Sequence, residues 1–164
     1  LLLIPELERL TKILDTYKDT DARNCLILRL ALRTGGRAQE LLNLQKVDFN
    51  PYDQSLFIRG IKGSNDREIP LPNGLALDLQ RYLGSLSGTK IFDITYDRLY
   101  QIWLHYRPVE KKFHCLRHTF AIQLYKKTKD IRLVQVALGH RNITNTMIYA
   151  DYVYSQEELK KLIL

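Results

Sequence analysis

His114-Cys115-Leu116-Arg117-His118-Thr119-Phe120-Ala121 opens the last third of this chain, and Leu138-Gly139-His140 closes the helix that follows it, with Tyr149 nine positions beyond His140. Around the first stretch, Leu116, Phe120, Ile122 and Leu124 give Phe113 to Lys127 the spacing of a helix. Asp130 is placed to cap Ile131 to Leu138, and Gly139 terminates that helix. Thr144 to about Tyr149 reads as a short helix. A join at Tyr152-Val153-Tyr154-Ser155 then leads to a terminal amphipathic helix, about residues 155–164, with Leu159, Leu162 and Ile163 as its apolar stripe. His114 and Arg117, three residues apart, share one face of their helix. His118 is turned about 100° from Arg117, which assigns it to packing.

Upstream, Pro5 to about Tyr17 forms an amphipathic helix through Leu7, Leu10, Ile13 and Leu14. Asp21 can cap a second helix with a buried stripe at Leu26, Ile27, Leu30 and Ala31, stopped at Thr34-Gly35-Gly36. Arg37 to Leu44 is a short helix. Val47-Asp48-Phe49, Ser55 to Arg59, and Arg67 to Leu71 alternate as strands, joined by turns at Asn50-Pro51-Tyr52-Asp53 and Gly63-Ser64-Asn65-Asp66. Asn73 caps a helix to about Leu83, and Thr95 to Tyr106 forms another before Pro108. The fold class is mainly α with a small three-stranded antiparallel β-sheet (α+β), in a single domain over residues 1–164.

The chain has 164 residues, enough for one domain with a real core, and its charge balance of 25 basic against 18 acidic residues gives +7. That excess favours a polyanionic partner, nucleic acid first, although a solvated basic surface has the same composition. Cys25 and Cys115 stand alone and read as free thiols of a reducing compartment. No zinc-ligand spacing occurs, so no metal and no cofactor is expected. No apolar run approaches a membrane span, and Leu1-Leu2-Leu3-Ile4 is stopped by Pro5 and Glu6.

Several residue types suited to phosphate chemistry lie along this framework, each with a plainer reading beside it. Arg37 follows a glycine stop, where its planar fork can grip phosphate oxygens, and Glu40 lies one turn on to orient it. A surface Arg–Glu pair has the same spacing. Lys62 sits at a hairpin turn, where it can reach a nucleic-acid groove and donate a proton, or simply be solvated. His114 and Arg117 can serve one phosphate together, or pack. His140 can hydrogen-bond a phosphate oxygen, or cap the helix before it. Tyr149 can attack phosphorus, or fill a core.

Taken in order, the arginine box Thr34 to Leu44, the lysine hairpin, the His114–Ala121 box, the Leu138-Gly139-His140 box and Tyr149 resemble the tyrosine recombinases, the phage-type integrases and Xer-like resolvases. The likeness runs from about Pro5 to Tyr152. It implies the catalytic-domain fold of that family and site-specific DNA recombination through a 3′-phosphotyrosyl intermediate. It implies that Arg37, Arg117 and His140 hold the scissile phosphate, and that His114 assists proton transfer at the tyrosine. Lys62 would protonate the departing 5′-oxygen, Tyr149 would be the nucleophile, and Glu40 would support the arginines. Tyr152 and Tyr154 do not match the spacing after His140. The implied partners are double-stranded DNA and further copies of the chain, a tetramer on paired sites, with the terminal helix docking on a neighbour or on its own domain. The implied setting is the cytoplasm of a prokaryotic cell or its phage or mobile element. The family's N-terminal DNA-binding domain is absent from this chain, which reads as a fragment. Two other readings share the motifs: relaxation of DNA in the manner of a type IB topoisomerase, and a catalytically silent DNA-binding module. RNA-binding signatures are lacking.

Overall fold

The second helix is the axle of the structure. In the computed structural model, which describes residues 1–163, α2 (Ala22–Thr34) buries Cys25, Leu26, Ile27, Leu28, Leu30 and Ala31, so nearly its whole circumference is packed. A helix that is apolar on most of its faces is stable only in the centre of a core. Around it stand α1 (Ile4–Tyr17), which contributes Leu10 and Leu14, α4 (Asn73–Gly84), and α6 (Cys115–Thr128). α5 (Tyr96–Tyr106) buries Trp103, whose indole N–H donates to the Lys111 carbonyl at 2.7 Å. The short α3 (Ala38–Leu42) follows α2 across a glycine turn.

That turn is demanded by geometry. Gly35 has φ +67°, its N–H donates to the Ala31 carbonyl at 3.1 Å, and a Cβ there would lie 2.3 Å from the Phe120 ring. Glycine is the residue that occupies the left-handed region and tolerates this approach without cost.

The sheet has strand order β1-β2-β3, all antiparallel: β1 (Phe49–Asn50), β2 (Ser55–Ile58) and β3 (Arg67–Pro70), with Leu56 opposite Ile69 and Ile58 opposite Arg67. The expected first strand is largely a 3-10 turn, Lys46–Asp48. Its physical reason is Asp48. The buried carboxylate accepts from the Gln45 N–H at 2.8 Å and takes both Arg59 guanidinium nitrogens at 2.8 and 2.6 Å, so the backbone curls and Val47 is left outside. Two expected caps differ as well. Asp21 makes no capping bond; its carboxylate accepts from the Tyr106 hydroxyl and from Asn24 instead. Asn73 is the first helical residue and Pro72 occupies the cap position.

α7 (Ile131–Leu138) is capped by Asp130, which accepts from the Leu133 N–H at 3.0 Å, and ends at Gly139 with φ +74°, both as the sequence predicts. α8 (Thr144–Ile163) corrects the sequence reading: one continuous helix replaces a short helix, a join and a tail. Tyr152-Val153-Tyr154-Ser155 contains no glycine or proline to break it, and Val153 is buried. Leu164 of the expected tail lies outside the described residues. α6, α7 and the first half of α8 enclose a second apolar cluster of Ala121, Ile122, Val134, Leu138, Tyr149 and Val153. Among the described residues no helix is long and apolar enough to cross a membrane.

Candidate active site

A buried carboxylate anchors the site. Glu40, 1% exposed, accepts from the Arg37 backbone N–H at 2.8 Å, which ties down the start of α3. Its two oxygens also take Arg67 Nη1 and Nη2 at 2.6 and 2.8 Å, a bidentate pair, and Arg117 Nη1 stands 3.9 Å away. Burial alone raises the pKa of this carboxyl, but the hydrogen bonds and charge of Arg67, the Arg37 amide and then Arg117 carry it below the ordinary value. Glu40 therefore does more than orient Arg37: it holds three chain segments at once.

Arg117 is locked from two sides. Its Nη1 donates to the Gly35 carbonyl and its Nη2 to the Leu138 carbonyl, both at 2.8 Å, so the ends of α2 and α7 fix the plane of the guanidinium. Burial, then the charges of Arg37 and Arg67, bring its pKa down to about 10 against the opposing pull of Glu40. It remains a cation at neutral pH. Arg37 is half-buried and donates to the Ser64 hydroxyl across the β2–β3 hairpin. Two guanidiniums, Arg67 and Arg117, thus face the Glu40 carboxylate, and Arg37 adds a third positive charge near Arg117, an excess suited to binding a phosphate.

The histidines complete this surface. His140 Nδ1 lies 2.8 Å from the Thr146 hydroxyl on α8, which leaves Nε2 for the site. Its backbone is held by buried Gln135, whose amide donates to the His140 carbonyl at 3.1 Å. Burial, followed by Arg117, Arg37 and Arg67, lowers the His140 pKa to about 4, so it is neutral at pH 7. His114 opens α6 with its ring exposed; partial desolvation and the charges of His118, Arg117 and Arg37 hold its pKa below the ordinary imidazole value. Its ring packs edge-on to His118 with centroids 4.7 Å apart.

Tyr149 is 5% exposed in the second apolar cluster. Burial raises its pKa, while Arg117 and then Arg37 pull it back. Its hydroxyl lies 2.8 Å from His118 Nδ1. His118 therefore adds a polar contact to the packing role expected of it, its ring lying against both His114 and Tyr149. The angle that matters is measured from His114, four residues earlier, and not from Arg117: positions i and i+4 share a face, so His114 and His118 stand together toward α8.

Lys62 is set apart. It is exposed at the hairpin tip with φ +40°, and among the described residues its amine makes no hydrogen bond or ion pair. The base of its loop is nevertheless pinned to the site. The Asn65 N–H donates to the Gly139 carbonyl at 2.8 Å, and a Cβ on Gly139 would fall 2.6 Å from the Asn65 carbonyl oxygen. Gly139 is required twice, for its backbone conformation and for this contact.

The sequence matches the family model described as "Phage integrase family" over residues 2–156, most of the chain. The chain belongs to the phage integrase family. Among curated members, it is 32% identical to the tyrosine recombinase XerA of Thermococcus kodakarensis, over 95% of this chain and 62% of that protein. It is 34% identical to a tyrosine recombinase of Pseudothermotoga lettingae, over 83% of this chain and 51% of that protein. The integrase-family chain spans about half to three fifths of the length of the curated relatives it matches first. In structure it is similar to the XerH site-specific recombinase bound to palindromic difH substrate in a post-cleavage complex. That likeness has TM-score 0.79 and 28% identity, over 98% of this chain and 52% of the other. The catalytic domain of bacteriophage HP1 integrase follows with TM-score 0.72 and 25% identity, over 96% of this chain and 90% of that domain.

Within this integrase-family site, sequence reasoning missed four supporting groups. Arg67 was hidden because its partner Glu40 lies 27 positions away and strand alternation carries no motif. Thr146, fully buried one turn before Tyr149, was legible only as a helix residue. Gln135 and Ser64 gave no signal beyond being polar. For His118, the four-residue spacing from His114 was the signal available.

Proposed function

We propose that this chain breaks and rejoins DNA as the catalytic domain of a site-specific tyrosine recombinase. The observation that carries the reading is the placement of the Tyr149 hydroxyl 2.8 Å from His118 and under the charge of Arg117 and Arg37. Arg37 and Arg117 grip the non-bridging oxygens of the scissile phosphate, and His140 donates a third bond through Nε2. These donors are positioned before substrate arrives, so they stabilise the charge that builds on the pentavalent phosphorus without reorganising. Tyr149 attacks phosphorus in line and leaves a 3′-phosphotyrosyl link. Lys62, carried by a loop pinned to Gly139, protonates the 5′-oxygen as it departs. His114 borders the tyrosine side of the site through His118, and Glu40 holds the arginines. The covalent link retains the energy of the phosphodiester, so rejoining needs no nucleotide cofactor.

Double-stranded DNA is the partner, supported by the +7 charge and by the XerH relative solved on difH DNA. The last part of α8 suits a second copy of the chain. Leu159, Leu162 and Ile163 are 53, 80 and 75% exposed, so this stripe is not spent on its own domain. Assembly on paired DNA sites, in the cytoplasm of a prokaryotic cell or of a cell carrying a mobile element, fits these features.

Covalent trapping tests the reading. A pool of nicked duplexes, whose short cleavage products diffuse away, accumulates a detergent-resistant protein–DNA adduct with the unmodified chain. Peptide mapping places the link on Tyr149, and Tyr149→Phe forms none. An adduct on Tyr152 or Tyr154 would overturn the site; relaxation of supercoiled DNA with no site preference would favour the topoisomerase reading.

A further inference from the structure

We propose that His118 is the base that takes the proton of Tyr149 when the tyrosine attacks, and the acid that returns it on rejoining. This rests on the strand-transfer reading above and assigns a step to a residue that the sequence motifs leave to packing.

Three observations support it. His118 Nδ1, at 2.8 Å, is the sole hydrogen-bond partner of the Tyr149 hydroxyl among the described residues. That distance is already the one proton transfer requires. Second, a buried phenol cannot shed its proton to bulk water. Tyr149 is 5% exposed, and burial outweighs the pull of Arg117 and Arg37, so the neutral hydroxyl is the resting form and an internal acceptor is needed. Third, the acceptor must be neutral before the reaction. Burial and the charge of Arg117 hold His118 below the ordinary imidazole pKa, and His114 stands edge-on to it from the preceding turn. His114 makes no side-chain hydrogen bond to Tyr149, so its own influence on the tyrosine passes through His118.

The step balances without any added group. The Tyr149 O–H bond breaks and its proton passes to His118 Nδ1. The phenolate oxygen forms the bond to phosphorus while the bond from phosphorus to the 5′-oxygen breaks, and the leaving electron pair is protonated by Lys62. His118 is then an imidazolium. Lys62 is left as a neutral amine. In the reverse step the 5′-hydroxyl attacks and returns its proton to Lys62, the tyrosine oxygen leaves, and the His118 imidazolium protonates it.

Single-turnover cleavage of the nicked duplex pool tests the assignment, with His118→Asn keeping an acceptor oxygen near Nδ1 but unable to carry a proton at neutral pH. Adduct formation is expected to slow by about 10²-fold, the range general-base loss gives. Installing 2,3-difluorotyrosine at position 149, whose phenol is more acidic, is expected to restore much of that rate in His118→Asn while changing the unsubstituted protein little. DNA retention and thermal melting, measured alongside, should match the parent. Parent-like cleavage by His118→Asn, or slow cleavage that the acidic tyrosine does not rescue, would overturn the proposal and leave His118 a structural contact. Faster cleavage would also overturn it, marking His118 as a clamp on a resting tyrosine. Absence of adduct from the unmodified chain on every duplex would remove the strand-transfer reading itself, and the proposal with it.

Discussion

The Glu40 centre and the Lys62 hairpin tip are built in opposite ways. Around Glu40, two guanidiniums are almost fully buried and every donor is aimed by backbone or carboxylate. At the hairpin tip a single amine stands in solvent on a left-handed backbone, while the loop base is fastened to Gly139. The difference matches the role proposed for each charge. Groups that meet a developing oxyanion gain from being fixed beforehand, because reorganisation would be subtracted from the stabilisation. In the proposed reaction, a proton donor that reaches a departing strand gains from an exposed tip on a fixed base.

The comparison can be broken most forcefully at Glu40. Glu40→Ala leaves Arg67 buried without its partner, and removing one member of a buried pair costs about 3–5 kcal/mol. Denaturant unfolding near pH 7 should record a loss of that order; a loss under about 1 kcal/mol would mean the guanidiniums find other partners. Acidification attacks the same centre more gradually. His140 and His118 have folded pKa values below the unfolded value near ~6.5, so the unfolded chain takes up protons first as pH falls. Stability is therefore full above about pH 6.5 and declines toward pH 4, where His140 itself protonates. Glu40, with its folded pKa depressed, adds a further loss below the ordinary carboxylate value of about 4.3. Melting temperature against pH should slope downward to acid through both windows, and phosphate or sulfate should reduce the slope between pH 6.5 and 4 by favouring charged histidine.

Smaller effects sharpen the contrast. Thr146→Val deletes the partner of His140 Nδ1 and should cost about 1 kcal/mol in the same unfolding experiment, while Thr146→Ser costs less. Lys62→Ala should change stability by less than about 0.5 kcal/mol, since the side chain is exposed and its amine makes no hydrogen bond or ion pair among the described residues. Its cleavage rate should nonetheless fall by about 10²-fold in the adduct assay. A Lys62 variant that destabilised the fold would show that the tip is not independent of the core.

Much of this division could be read from the chain beforehand. Helix periodicity, Asp130 and the glycine stops at Gly35 and Gly139 placed the helical ends that carry Arg37 and His140, because caps and left-handed residues are local signals. The sheet was found, but its first strand was overdrawn: Val47-Asp48-Phe49 alternates like a strand, and only the tertiary partner Arg59 reveals that Asp48 turns inward. The sequence reading split α8 at a join through Tyr152-Val153-Tyr154-Ser155, where no glycine or proline breaks the helix and buried Val153 packs it against the domain. Arg67 stayed invisible because its role is defined by Glu40 and the Ala137 carbonyl, groups remote in sequence. The hydrogen bond of His118 to Tyr149 was visible in principle through its spacing from His114, but measuring from Arg117 pointed only to packing.

The bond between His140 and Thr146 has one more consequence. Thr146 lies on the helix that carries Tyr149, so that helix, when seated, also fixes which edge of the His140 ring is turned toward it. The chain cannot hold the His140 ring in this orientation by this bond while Tyr149 is swung away with its helix. Seating of the proposed nucleophile and aim of the proposed phosphate donor are registered by one hydroxyl, which works as an interlock: a half-assembled site is left with an unaimed histidine.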